Sequence, residues 1–292
     1  MTNNTDKKLE LKRLLIFLFF AFALSWIPAI IFNKLFGYHE WFETNKYPVL
    51  LLFMGYGPAL ANVITRKITH EGWHDSMLHL NLKGNVKYYV FAVLFVSVSY
   101  LPVGAMFTIV CGGGDWSQLG TYYTPKEAIA ELLLILTVSP LAAFNTFGEE
   151  FGWRGYMNQK LEPLVGKVGT VIIGGIIWGV WHAELTVEGH NFGTDYPGYP
   201  WLGILAMCIE CTFMGIVLMW LTKKTGSIYP AAIMHAMNNN GGTLTYTLLA
   251  SGIDIENFVP SIPQNLICSI PVFLLSVVFL VLMLSEKTKI NI

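Results

Sequence analysis

Gly148-Glu149-Glu150-Phe151-Gly152-Trp153-Arg154-Gly155 closes a long apolar run that begins at Ala128. Two adjacent carboxylates and an arginine at the end of such a run are costly in or beside a hydrocarbon layer, so they are functional candidates by default. Glu150 and Arg154 are four residues apart with the acid first, the orientation that favours an ion pair on one helix face. Glu149 is rotated about 100° from Glu150, so the two carboxylates face different neighbours. Two later apolar segments also carry polar groups at helical spacing: Trp178-Gly179-Val180-Trp181-His182 and His235-Ala236-Met237-Asn238-Asn239. In each, the first and last residues share a helix face, and the Trp178 ring is placed to pack on His182.

The rest of the chain sets these segments in a membrane. Of 292 residues, 54% are hydrophobic and 13% charged, and mean hydropathy is +0.52. An ordinary soluble domain carries about 25% charged residues. The net charge of −1 gives no case for nucleic-acid binding, which requires a basic stripe. Lys7, Lys8, Lys12 and Arg13 followed by an apolar run and Ala21-x-Ala23 imitate a signal peptide. The run continues to Phe32, however, long enough to cross a bilayer, and is read as an uncleaved first span.

Runs of roughly 20 apolar residues occur at about 14–32, 47–65, 88–111, 128–150, 168–187, 201–222, 228–250 and 264–284. They predict an all-α polytopic bundle of about eight transmembrane helices with both termini cytoplasmic, residues 1–292 forming one membrane domain. The basic residues test the count. With the N-terminus inside, 15 of the 18 fall in cytoplasmic segments, Lys287 and Lys289 among them, and only Lys34, Lys46 and Lys126 fall outside. That is the asymmetry expected of a multi-pass protein of the cell membrane. The outer segments instead hold Glu40, Glu43, Asp115, Glu188, Asp195, Asp254 and Glu256. Trp41, Tyr47 and Trp201 read as interfacial anchors. Pro163 and Pro230 read as helix starts, where proline is tolerated. By helix rise, His182 and His235 stand roughly 16 and 12 Å above the inner ends of their spans, so both can meet Glu149 in the cytoplasmic half of the bilayer.

A carboxylate in a partly dry cavity suits general-base work near neutral pH. Paired with a histidine, it can hold and deprotonate water. A second histidine and an asparagine on one face can donate to a developing oxyanion. Glu149 and His182 fit the first role and His235 and Asn239 the second, with Glu150, Arg154 and Trp178 in support. The same residue types also spell a zinc site with Glu149, His182 and His235 as ligands and water in the fourth position. Composition alone does not separate the two. The bland alternative is three unrelated polar spots.

At these residues the chain resembles the CPBP family of CAAX-protease and bacteriocin-processing membrane proteins, also called Abi. The family pattern is Glu-Glu-x-x-x-Arg, an aromatic-x-x-x-His, then His-x-x-x-Asn/Asp. Here it reads Glu149-Glu150-Phe-Gly-Trp-Arg154, Trp178-Gly-Val-Trp-His182 and His235-Ala-Met-Asn-Asn239. The resemblance covers about residues 125–250 as a protease core. It implies an intramembrane endopeptidase of the type II CAAX prenyl protease kind, acting on a membrane-attached or lipidated peptide or protein near the cytoplasmic face. Carried over, Glu149 activates water with His182 while His235 and Asn239 stabilise the oxyanion. A metal-free glutamate mechanism is preferred, with zinc as the alternative. Trp178 stands where phenylalanine is common in the family, a conservative departure.

Other signals compete. His70-Glu71-Gly72-Trp73-His74 is a literal His-Glu-x-x-His, the zincin pattern, which needs a regular helix that Gly72 disfavours; His79 or Asp75 is a candidate third ligand. Its bland reading is a polar interfacial loop. Cys208-x-x-Cys211 inside a span reads as small apolar packing. Glu184 and Glu210 are unusual at their depth and read as structural or cavity-lining. Two further function classes use the same residues: a non-catalytic immunity or scaffold protein, and a transporter relaying protons. The transporter lacks the internal repeat such folds show.

Overall fold

The computed structural model describes residues 4–37, 47–111, 116–251, 253 and 260–285. Lys46, Lys287, Lys289, Glu40, Glu43, Asp115, Asp254, Glu256 and Trp41, which entered the loop-charge and anchor arguments, lie outside them. The described chain is helical: α1 (Asn4–Phe36), α2 (Tyr47–Thr69), α3 (Val86–Cys111), α4 (Pro125–Val138), α5 (Ala143–Gly152), α6 (Asn158–Trp181), α7 (Trp201–Thr225), α8 (Tyr229–Asn239), α9 (Ile262–Cys268) and α10 (Ile270–Ser285).

By length and composition, four stretches are able to cross a membrane: Asp6–Phe36, Val86–Cys111, Pro125–Trp181 and Trp201–Thr225. A fifth is added if α9 and α10, bent by 51°, count as one span. Their outer faces present large apolar side chains, among them Phe19, Ile172, Ile176, Leu274 and Val281. Surface of that extent suits hydrocarbon rather than water. The protein is an integral membrane protein.

The expected eight spans differ from this architecture in three places: 47–65, which is helical as α2 but not among these stretches, 128–187 and 228–250. The expected spans 128–150 and 168–187 are parts of one 57-residue helical stretch, Pro125–Trp181. It is interrupted by a 3₁₀ turn at Ser139–Ala142, which contains Pro140, a π turn at Trp153–Met157 and a break at Gly166 (φ 73°). Pro163 therefore sits inside α6, one turn before that break, and not at a helix start. The expected span 228–250 is instead α8, only 11 residues long, followed by a short turn of helix at Gly242–Tyr246. Eleven residues rise only about 16 Å. The run Asn238-Asn239-Asn240-Gly241-Gly242 stops the helix because amide side chains and glycines favour the non-helical backbone. Pro230 does lie in the first turn of α8.

Glycine spacing draws the site helices together. A Cβ on Gly148 would lie 2.5 Å from the Gly55 carbonyl oxygen, and one on Gly152 would lie 2.3 Å from Pro58 Cβ. α5 thus packs backbone to backbone on α2, as small-xxx-small pairs do in membranes. Gly175 and Gly179 repeat the device against Thr212 and Cys208 of α7. α8 packs against α5, α3 and α7. α1 lies along α2 and α6, where Phe17 meets the Trp153 and Tyr156 rings at 5.7 and 5.1 Å.

Candidate active site

Gly148 and Gly152 press one face of α5 onto α2, and the remaining faces carry the two carboxylates inward. Glu149 and Glu150 point to different partners, as their rotation requires. Glu149 Oε2 accepts a hydrogen bond from Trp178 Nε1 at 2.8 Å. Glu150 is fully buried, and its Oε1 accepts from Arg154 Nη1 at 3.0 Å and from His235 Nδ1 at 2.8 Å. The Arg154 guanidinium lies 4.0 Å from the centroid of the Trp178 ring. A continuous chain of contacts therefore runs from His235 through Glu150, Arg154 and Trp178 to Glu149.

The imidazoles are oriented by their Nδ1 atoms. His182 caps α6, and its Nδ1 is 2.9 Å from the Trp178 carbonyl oxygen. A carbonyl only accepts, so His182 carries its proton on Nδ1, and Nε2 is left as an acceptor. Trp181 meets the His182 ring edge-on at 4.8 Å, and Trp178 meets the His235 ring edge-on at 5.3 Å. The aromatic–histidine pair read from spacing forms as well, with the Trp178 and His182 centroids 5.9 Å apart.

Glu149, Trp178, His182, His235 and Asn239 all line one cavity of about 660 Å³. Glu150 and Arg154 stand behind its wall. Sequence reasoning missed several polar liners: Tyr100, Asn145, His190, Asn191, Asn238 and Asn265. The Tyr100 hydroxyl donates to Asn238 Oδ1. The asparagine run at 238–240 was visible as a signal; the long-range arrivals from α3 and the 188–200 loop were not.

The remaining candidates divide. Glu184 does not line the cavity and accepts from Asn33 Nδ2 at 2.9 Å, whereas Glu210 does line it. Cys208 and Cys211 are free thiols of α7; Cys211 also lines the cavity, its Sγ 3.8 Å from His182 Nδ1. The His-Glu-x-x-His run is not helical: His70 ends α2 with φ 52°, and residues 71–80 form a loop. Glu71 is instead the hub of an ion cluster, 2.6 Å from Lys160 Nζ, 3.4 Å from Arg13 and 2.5 Å from the Tyr156 hydroxyl. Asp75 joins through Lys160 at 3.7 Å and pairs with Arg66 at 2.5 Å. Among the described residues no three His, Cys, Asp or Glu side chains converge as a metal site. Neither a zincin site nor the three-ligand set Glu149, His182 and His235 fits this arrangement.

Residues 129–241 match the family model for the type II CAAX prenyl endopeptidase, Rce1-like. This segment is similar to the Rce1-like family. All three motif segments lie within the matched range. A curated relative, the CAAX prenyl protease 2 of Methanococcus maripaludis, is 32% identical over 132 residues, 44% of this chain and 46% of the relative. The chain thus spans under half the length of that relative. The matched segment contains the whole of α5, α6, α7 and α8, together with the π turn that carries Arg154 and the α6 cap His182.

Proposed function

We propose that the protein is an intramembrane endopeptidase that hydrolyses a peptide bond in a membrane-attached or lipidated peptide or protein. The observation that carries this reading is the single cavity lined by Glu149, His182, His235 and Asn239, within a segment similar to the Rce1-like family.

A water between Glu149 and His182 Nε2 has two acceptors aimed at it. Glu149 takes its proton as the oxygen attacks the peptide carbonyl carbon. The Trp178 N–H fixes the carboxylate and leaves Oε1 for this work. As the carbonyl becomes an oxyanion, the Asn239 amide and His235 Nε2–H donate to it, with Glu150 at His235 Nδ1 as counter-charge. Glu149 then passes the proton to the departing amine, which completes hydrolysis. Glu150 and Arg154 are positioning residues: they hold His235 and the Trp178 ring. The basic residues beside the motif segments, Lys160, Lys167, Lys223 and Lys224, support the reading that cleavage occurs near the cytoplasmic face.

The test is mass spectrometry of a lipid-anchored peptide incubated with the purified protein in vesicles, with and without chelator. The expected outcome is two products that sum to substrate plus one water, unaffected by chelator. Loss of cleavage with chelator and recovery with zinc would overturn the glutamate mechanism.

A further inference from the structure

Glu210 is a carboxylate in the body of a membrane-crossing helix, about 14 Å along α7 from its start. It lines the same cavity as Glu149. Met207, one turn before it, and Met214, one turn after it, line the cavity too, so this is the inward face of α7. Among the described residues Glu210 makes no hydrogen bond or ion pair. The Tyr100 hydroxyl, which lines the same cavity, spends its proton on Asn238. A charge-bearing group within a membrane helix is normally paired, and the described residues supply no partner here.

The cavity's other liners narrow what that partner is. They include one carboxylate (Glu149), three imidazoles (His182, His190 and His235) and several asparagine amides, but neither a lysine nor an arginine. Arg154 stands outside the wall and is neutralised by Glu150. Such a lining gives a substrate carboxylate no counter-ion and offers a cation one at Glu210. Met207, Met214 and Phe213 beside it supply an apolar sleeve for the stem of a long basic side chain.

We infer that Glu210 forms a specificity subsite that binds a lysine or arginine side chain of the peptide being cut. The inference rests on the proteolytic reading for its substrate, but its test does not depend on turnover. Full-length Glu149→Gln protein in nanodiscs is titrated with two series of end-blocked, lipid-anchored peptides. The series are identical except that one carries lysine and the other norleucine at each successive position. Norleucine keeps the hydrocarbon stem and removes the ammonium.

At one position lysine binds about tenfold or more tighter than norleucine, the worth of one charge-assisted contact. Adding Glu210→Gln removes that difference, and Glu210→Asp keeps part of it. Norleucine peptides that still bind the Glu210→Gln protein show that the cavity is intact. Equal affinity for the two series, or a lysine preference that survives Glu210→Gln, overturns the subsite. If the lysine preference is present but the protein with Glu149 restored cleaves neither series, the subsite stands and the proteolytic reading falls.

Discussion

Replacing Glu150 by alanine removes a side chain that stands behind the cavity wall, yet the expected effect is large. The carboxylate is fully buried and takes hydrogens from Arg154 at 3.0 Å and His235 at 2.8 Å on the same oxygen. Without it the Arg154 guanidinium, 3% exposed, keeps only the Trp178 ring at 4.0 Å. A cation–π contact of about 2 kcal/mol does not replace a buried counter-charge, whose loss costs about 3–5 kcal/mol. The expected destabilisation is therefore about 3 kcal/mol or more. It is measured by unfolding titrations in mixed micelles on wild type, Glu150→Ala, Arg154→Met and the double variant. The double variant should be more stable than Glu150→Ala alone, because no orphan charge is left. Glu149→Gln serves as the contrast: its amide oxygen still accepts from Trp178, and its stability should change by less than about 1 kcal/mol. A Glu150→Ala protein as stable as wild type, or strictly additive variants, would refute the coupling.

Trp178→Phe keeps the ring but removes the hydrogen bond to Glu149; kcat/KM should fall about tenfold or more, which steady-state kinetics would show. Gly152→Ala places a methyl 2.3 Å from Pro58 Cβ and should cost about 1–3 kcal/mol by overpacking, visible as a lowered thermal midpoint in detergent. His74→Ala should leave cleavage unchanged, since the loop is no metal site; loss of activity would contradict that. At Glu71 burial alone would raise the carboxyl's pKa, but hydrogen bonds from Lys160 and Tyr156 outweigh it and hold it below the usual range. A depressed carboxyl stabilises the fold above its unfolded value of about 4.3, and that stability drains away as the pH falls below it through the folded value. Thermal midpoints taken from pH 7 downward should decline in this window, less steeply in Glu71→Gln.

Much of the site could be read from spacing because its contacts are local. Glu150 to Arg154 and Trp178 to His182 are single-turn relations that any helix produces. The opposed aim of Glu149 and Glu150 follows from the same rotation. The partners that tie the segments together are separated by 29 residues for Glu149 and Trp178 and by 85 for Glu150 and His235. No periodicity reports such distances. The span pattern misled where hydropathy and backbone conformation part company. Residues 128–187 are apolar on either side of a polar stretch, so they read as two spans, yet 3₁₀ and π turns let the helix bend and continue. Residues 228–250 are apolar enough on average, yet three asparagines and two glycines end α8 early. The His-Glu-x-x-His run failed for a related reason: Gly72 takes φ 73° and turns the chain into a loop, where Glu71 is claimed by Lys160.

Glu149 is the group proposed to activate water. The most direct measurement compares purified wild type and Glu149→Gln on one lipid-anchored peptide, with cleavage followed by mass spectrometry and folding by thermal midpoint. The expected result is an unchanged midpoint and a rate lower by about a hundredfold or more. A correctly folded Glu149→Gln protein that cleaves at the wild-type rate would contradict it.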